Sequence, residues 1–193
     1  MMGQMELSRT KLELFFLGSI MTFWIGLLGS LVLISGAAYP VRDFQHPVES
    51  VKNCLFASGG LLMLSYSVLN YLEGGPIFFV FLQGLVNVAS VLMLSNSHER
   101  ISTPVIIGLG MVLMVWSLLL FEGLSTVFFI IGLTGVATGY VLKSGTFRRN
   151  LALMLGSLLI ALFSLLVADW MFFWLNVFFS VFSGWHAWRL KET

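Results

Sequence analysis

The chain has 193 residues, of which 58% are hydrophobic and 10% are charged, with ten basic and nine acidic side chains. This composition excludes a sizeable soluble domain and indicates a membrane protein, in which backbone at membrane depth is satisfied within helices. The formal charge of +1 gives no sign of a nucleic-acid partner, and one cysteine, Cys54, excludes an intramolecular disulfide and a thiolate metal cluster.

The charged residues fall into short clusters, and between them lie runs without Asp, Glu, Lys or Arg. Each run is long enough to cross a hydrocarbon layer of about 30 Å, since a helix rises about 1.5 Å per residue. The sequence therefore predicts an all-α integral membrane protein with seven transmembrane helices in a single membrane domain, residues 1–193. The runs are 14–41, 53–72, 74–98, 101–121, 123–142, 150–168 and 170–188.

The first run has an alternative interpretation as a cleaved signal peptide. Arg9 and Lys11 precede it, and the sequence 36–38, Gly-Ala-Ala, is typical of a cleavage site. A signal peptide has an apolar region of roughly 7–15 residues, however, and this run is longer. We therefore expect it to be a retained helix.

Basic residues are divided unevenly between the two ends of the predicted bundle. The side that holds the N-terminus carries two of them, and the opposite side carries eight. Because short cytoplasmic loops are enriched in Lys and Arg, we expect the N-terminus outside and the C-terminus in the cytoplasm. The expected location is the plasma (inner) membrane.

The turns on the predicted outer side carry only acidic charges, at Glu73, Glu122 and Asp169. Pro76 follows two glycines and is placed to begin the third helix, where its missing N–H costs little. Asp169 is placed to cap the last helix. The connections on the inner side, 40–52 and 143–150, are either solvated connectors or the site of a gate hinge or partner contact.

Helices three and seven carry the same polar pattern, with polar residues at i, i+4 and i+7 on one face. Aligning them 93 positions apart pairs Gln83 with Asn176, Asn87 with Ser180, and Ser90 with Ser183. For helices two and six, a displacement of 99 positions pairs Ser58 with Ser157 and Ser65 with Ser164. The pattern predicts two parallel three-helix repeats, 12–98 and 123–190, joined by a linker helix, 101–121.

The first three predicted helices resemble a known unit. Gly29-Ser30 through Pro40-Val41-Arg42, a basic and serine-containing connector and a polar third helix resemble a PQ-loop unit. The whole chain resembles the SWEET sugar facilitators and the nicotinamide-riboside vitamin transporters, which share a three-plus-one-three fold. The resemblance implies a central pocket faced by Asn87 and Asn176, with Gln83 as the better repeat-mate of Asn176, and by aromatic residues of helices two and six, here Tyr66 and Phe163.

Six side chains are the candidates for a substrate site. The amides and the hydroxyl either bind a neutral polar solute or join helices by hydrogen bonds. The two aromatic side chains are candidate stacking walls, although Trp174 is alternatively lipid-facing, as we expect for most of 78–81 and 172–174. The candidates are Gln83, Asn87, Asn176, Ser180, Tyr66 and Trp174.

Other residues indicate packing more than chemistry. Gly132, Gly135 and Gly139 lie on one face of helix five and predict close approach of a neighbouring helix. His186, between Trp185 and Trp188, is either part of an interfacial aromatic belt or a gate or proton-sensing group. No charge lies within a run, so nothing favours a proton pump or a voltage sensor.

Two functions follow from these features. The first is a facilitator that moves a small neutral polar solute, such as a sugar, vitamin or nucleoside, by alternating access. The second is a non-catalytic subunit or scaffold in a membrane complex or homo-oligomer. We expect no enzyme, since no nucleophile with a base, metal set or carboxylate pair is evident, and hence no cofactor and no metal. The expected partner in both cases is the lipid bilayer.

Overall fold

The computed structural model describes residues 2–39, 50–95, 99–143 and 145–191. Within these ranges the chain forms seven α-helices and no strand, which confirms the predicted all-α class. The helices are α1 (Met2–Ala38), α2 (Val51–Leu72), α3 (Phe78–Leu94), α4 (Glu99–Leu119), α5 (Leu124–Val141), α6 (Phe147–Leu166) and α7 (Trp170–Lys191).

Five stretches of these helices are long and apolar enough to cross a membrane: Gly18–Ala38, Val51–Leu72, Arg100–Leu119, Leu124–Val141 and Phe147–Leu166. Length and hydropathy therefore support five of the seven predicted crossings. The helix α3 is apolar but has only 17 residues. The helix α7 has 22 residues and contributes none of the five stretches.

Local hydrogen bonds explain where several helices begin and end. The side chains of Ser50 and Thr146 accept backbone N–H groups at the starts of α2 and α6. Asp169 Oδ1 accepts the Phe172 N–H at 3.0 Å, which confirms the predicted cap of α7. Pro76 lies before Ile77, the cap residue of α3, so the expectation that it opens this helix is wrong.

The glycine face predicted on α5 is confirmed. A Cβ added at Gly132 would lie 2.8 Å from Ile160 Cδ1, and one added at Gly135 would lie 2.8 Å from Gly156 Cα. In the other half of the chain, α1 and α2 approach similarly, since a Cβ at Gly59 would lie 2.8 Å from the Leu33 backbone nitrogen. Small residues therefore allow both helix pairs to pack closely.

In the described part of the chain, α2 packs against both α1 and α3, and α6 against both α5 and α7. The helix α1 also contacts α7, and α3 contacts α5. The helix α4 contacts α3 and α5 and lies at the periphery, with only 11% of its span buried. This arrangement places α3 and α7 on facing sides of the centre.

Phenylalanines fill the centre near the turns that hold Glu73 and Asp169. Each is at most 2% exposed: Phe78, Phe79, Phe129, Phe163 and Phe172. The expectation that 78–81 and 172–174 are mostly lipid-facing is wrong for Phe78, Phe79, Phe81 and Phe172, because α3 is enclosed by neighbouring helices and the first turn of α7 faces it.

Candidate functional site

The two helices with the matching polar pattern meet through their side chains. The rings of Phe79 on α3 and Phe172 on α7 are stacked, with centroids 4.0 Å apart and planes 1° from parallel. Both rings are fully buried. One helical turn further along, the polar residues Gln83 and Asn176 follow on the two helices.

A central cavity of about 40 Å³ lies beyond this stack. This volume admits a few water molecules, because one water needs at least about 10–15 Å³ in this measure. Its walls are mostly apolar, with four polar side chains. The lining residues are Leu33, Phe56, Leu82, Gln83, Val86, Val136, Tyr140, Ser157, Leu175, Asn176 and Phe179.

Gln83 is the most informative polar residue of this central cavity. Its side chain is 3% exposed, and its Oε1 has no hydrogen-bond partner in the described part of the chain. A buried acceptor without a partner costs roughly 1–3 kcal/mol of stability. A native chain retains such a group when a water or a ligand satisfies it.

Asn176 lies across the central cavity on α7 and is 7% exposed. Its Nδ2 donates to the Phe172 carbonyl oxygen of its own helix at 2.8 Å. An amide carries two N–H donors and one acceptor oxygen, so this single bond leaves hydrogen-bonding capacity for a solute. Tyr140 and Ser157 also line the cavity. Neither was among the predicted site residues, because neither belongs to the polar pattern of α3 and α7.

Two of the predicted site residues join helices and are not among the lining residues. Asn87 Nδ2 donates to the carbonyl oxygens of Gly60 at 2.9 Å and Gln83 at 2.7 Å. Ser180 Oγ donates to the Met154 carbonyl oxygen at 3.0 Å. Their observed bonds are those of interhelical packing, the alternative that the sequence left open.

The two predicted stacking walls also lie away from the central cavity. Trp174 is 53% exposed on the bundle surface. It precedes Asn176 by two residues, about 200° around a helix, so the two side chains leave α7 on different faces. Tyr66 is buried, and its ring lies 5.8 Å from that of Phe172, between the stack and the turn that holds Asp169.

A polar network lies at one end of the bundle, which we call the acidic end and define by Glu73 and Asp169. Tyr66 Oη lies 3.3 Å from both carboxylate oxygens of Asp169, and Asn70 Nδ2 donates to Asp169 Oδ2 at 2.9 Å. Thr22 Oγ1 donates to Glu73 Oε1 at 2.7 Å. These bonds tie α1 to the end of α2, and α2 to the start of α7.

Asp169 is only 8% exposed, although it lies in the turn between α6 and α7. Burial raises its pKa above the ordinary 3.8, while its hydrogen bonds with the Phe172 and Met171 backbone, Tyr66 and Asn70 act in the opposite direction. The sequence identified Asp169 only as a helix cap. Tyr66 and Asn70, four residues apart on α2, were the available signal of a polar partner at this end.

The opposite end, which we call the basic end, is defined by Lys52, Arg149 and Arg189. Lys52 Nζ donates to the Tyr39 carbonyl oxygen at 3.1 Å. His186 Nε2 donates to the Ala37 carbonyl oxygen at 3.2 Å and so joins α7 to the last turn of α1. Arg189 lies over the Trp185 ring, 5.1 Å from its centroid. His186 therefore makes a structural bond between two helices.

No protein-family model, no curated protein and no solved structure matches this chain. The resemblance to the SWEET facilitators stays a prediction. Within the described residues, no three His, Cys, Asp or Glu side chains form a group that could hold a metal ion. Function is therefore inferred from the central cavity and from the residues around it.

Proposed function

We propose that this protein is a membrane facilitator of a small neutral polar solute, with Gln83 and Asn176 as the groups that bind it. The observation that carries this proposal is the Gln83 carbonyl oxygen, which is buried beside a cavity between α3 and α7 and has no hydrogen-bond partner among the described residues. A group of this kind gains a hydrogen bond when a hydroxyl or N–H of a solute enters. The same group has no comparable use in a packed helix interface.

The chemistry of the lining favours a neutral ligand. None of the lining residues carries a formal charge, and the polar groups are two carboxamides, a phenol and a hydroxyl. Such a set supplies donors and acceptors to a sugar, vitamin or nucleoside, while apolar side chains shield them from water. A cavity of about 40 Å³ is too small for these solutes, so we assign this structure to a closed state.

Alternating access follows if the two halves of the chain are repeats that move against each other. The residues lining the central cavity on α3 and α7 support this arrangement, because they pair at a displacement of 93 positions. The pairs are Leu82 with Leu175, Gln83 with Asn176, and Val86 with Phe179. Phe79 and Phe172, the stacked rings, have the same displacement, as expected for equivalent residues beside the axis that relates two repeats.

The helix contacts support the same relation between the other helices. A Cβ at Gly59 would lie 2.8 Å from Leu33 N, and one at Gly156 would lie 2.6 Å from Val136 N. The two contacts are equivalent if α1 is aligned with α5 at a displacement of 103 positions, which pairs Leu33 with Val136. The alignment of α2 with α6 is then at 97 positions, which pairs Gly59 with Gly156.

The hydrogen bonds of α2 and α6 favour this displacement of 97 positions over the displacement of 99 taken from the sequence. Displacement by 97 pairs Ser67 with Ser164, which are both fully buried and both bond to the carbonyl four residues earlier. The serines of α2 in the earlier alignment, Ser58 and Ser65, are exposed. Repeats in this order and orientation are related by an axis along the membrane normal.

For the orientation in the membrane, we propose that the acidic end faces outward and the basic end faces the cytoplasm. The division of Lys and Arg supports this choice. Solute would then enter from the acidic end and leave at the basic end, or move in reverse, as the two halves rock about the central cavity.

A second candidate function is a non-catalytic subunit of a membrane complex. The bonds of Asn87 and Ser180 favour it, because they use the polar pattern for packing. The helix α4 supports it as well, since its exposed apolar side chains offer a surface to another membrane protein as readily as to lipid.

A thermal-shift screen against neutral metabolites separates the two functions. A solute at 100 times its Kd stabilises the folded protein by about 2.7 kcal/mol, which shifts the melting temperature measurably. We expect at least one solute to stabilise the wild type and the control Trp174→Leu, and to have no effect on Gln83→Leu and Asn176→Leu. Stabilisation of all four proteins alike, or of none by any neutral solute, would favour the subunit.

A further inference from the structure

On α3 and α7, the residues one helical turn from the central cavity toward the acidic end are buried aromatic side chains. The stacked rings of Phe79 and Phe172 lie between the cavity and the acidic turns, and the Tyr66 ring lies against Phe172. All three side chains are less than 9% exposed. A solute that reaches Gln83 from this end must displace them.

The same side chains are tied to Asp169. Its Oδ1 accepts the backbone N–H of Phe172 at 3.0 Å, and its carboxylate accepts bonds from the Tyr66 hydroxyl and the Asn70 amide. Each of these partners is electrically neutral. Among the described residues, the Asp169 carboxylate is bonded only to neutral groups. At 8% exposure it has given up most of its hydration without gaining an opposite charge from them.

The equivalent contact in the other half is entirely apolar. At the displacements derived above, Tyr66 corresponds to Phe163, Asn70 to Val167, and Asp169 to Pro76. Phe163 packs against the rings of Phe78, Phe79 and Phe129, with centroids 5.1–5.6 Å away. Aromatic packing therefore holds α6 against α3. Hydrogen bonds, which water can replace, hold α2 against the start of α7.

We propose that the contact of Asp169 with Tyr66 and Asn70 is a proton-controlled latch over the central cavity. The latch is closed when the Asp169 carboxyl is neutral, and its charged form favours opening between α2 and α7. This inference rests on the proposed function, since it gives the cavity its route to the acidic end. The apolar α3 and α6 side serves as the fixed side of the opening.

The direction of the pH effect follows from linkage. Burial raises the pKa of Asp169 in the closed state, whereas an opened latch exposes the carboxyl to water and returns the pKa toward 3.8. The closed state therefore binds the proton more tightly, and protonation shifts the population toward it. The titratable groups facing Asp169 are Tyr66 and, near Tyr66, Glu73.

Thiol labelling measures this opening without a known solute. Ser157 lines the central cavity and is 1% exposed, so Ser157→Cys reports access, with Cys54→Ser removing the native thiol. The full-length protein in lipid nanodiscs is treated with a charged thiol reagent. Size exclusion and a melting curve check the fold of each variant.

Two substitutions at the latch should change the labelling rate in opposite directions. Asp169→Asn retains a helix cap without a charge, and the Asn70 amide can turn to accept a bond from the new side chain. The thiol of this variant should react at no more than about one third of the rate seen with Asp169 present. Tyr66→Phe keeps the ring but leaves the carboxylate with fewer donors, and should label about threefold to tenfold faster. Thr22→Val removes the bond to Glu73 within the same end, between α1 and α2, and should leave the rate unchanged.

The pH dependence completes the test. The labelling rate with Asp169 present, divided by the rate of Asp169→Asn at the same pH, cancels the ionisation of the thiol itself. This ratio should approach 1 as the pH falls below 3.8, the ordinary pKa of an exposed carboxyl, and should rise with pH above it. A flat ratio, or faster labelling of Asp169→Asn, would overturn the latch and leave the proposed function standing. A reporter thiol that no protein exposes at any pH would overturn both.

Discussion

Replacement of Gln83 by Leu should stabilise this protein, which is unusual for a change at a buried polar residue. The substitution removes a buried acceptor oxygen that has no partner in the described part of the chain, and it introduces an apolar side chain of similar size. A buried unsatisfied acceptor costs roughly 1–3 kcal/mol. We therefore expect the free energy of unfolding to increase by about 1 kcal/mol, which raises the melting temperature by about 2–4 °C at this chain length.

The matched comparison is Asn87→Leu, one helical turn away on α3. Asn87 donates to the Gly60 carbonyl oxygen of α2, and its Oδ1 would lie 3.0 Å from a Cβ at Gly60, so a branched side chain has little room. Loss of an interhelical hydrogen bond costs about 0.6–1.7 kcal/mol in membrane proteins. Asn87→Leu should therefore lower the melting temperature by a few degrees.

Both variants are melted in the same detergent or nanodisc, without added solute, and followed by tryptophan fluorescence. Opposite shifts would support the assignment of Gln83 to solute and of Asn87 to packing. An equal fall for the two variants would refute the reasoning, because it would mean that Gln83 makes a stabilising bond between helices and is not held free for a ligand.

Three further predictions test the packing and the buried carboxyl. Gly156→Ala places a Cβ 2.6 Å from Val136 N and should cost about 1–3 kcal/mol of stability in a denaturation curve, whereas Gly108→Ala, which meets no atom within 4 Å, should be neutral or gain up to about 1 kcal/mol. Phe172→Ala should lower the free energy of unfolding by about 3 kcal/mol through loss of the central stack, and Trp174→Ala by much less. Because the pKa of Asp169 is raised in the folded protein, the protonated carboxyl contributes stability at about pH 4, and this contribution is lost as the pH rises through the raised pKa. The melting temperature of the wild type should therefore fall over this pH range relative to that of Asp169→Asn.

The order and the approximate bounds of the helices could be predicted from the sequence. Charged residues are expensive inside a membrane, so they lie in the turns or near the helix ends, and each charge-free run covers most of one helix. The close packing of α5 was also predictable, because glycines at helical spacing leave one face without side chains. These are local properties, and they need no knowledge of which helices are neighbours.

The tertiary structure decided which polar residues line the central cavity and which ones join helices. Gln83 and Asn87 share one face of α3, and periodicity gives no means of separating them. The carbonyl of Gly60, 27 residues away on α2, bonds Asn87, whereas no neighbour among the described residues reaches Gln83 Oε1. A residue contributes to a cavity or to packing according to the helix opposite it.

The burial of the charged residue Asp169 likewise could not be predicted from the sequence. The sequence places it in a short turn, where a carboxylate is normally solvated and serves as a helix cap. Its burial depends on Tyr66 and Asn70, about 100 residues earlier, and on the packing of α2 beside the start of α7. Hydropathy and spacing describe one segment at a time, whereas desolvation is set by atoms that only the folded chain brings together.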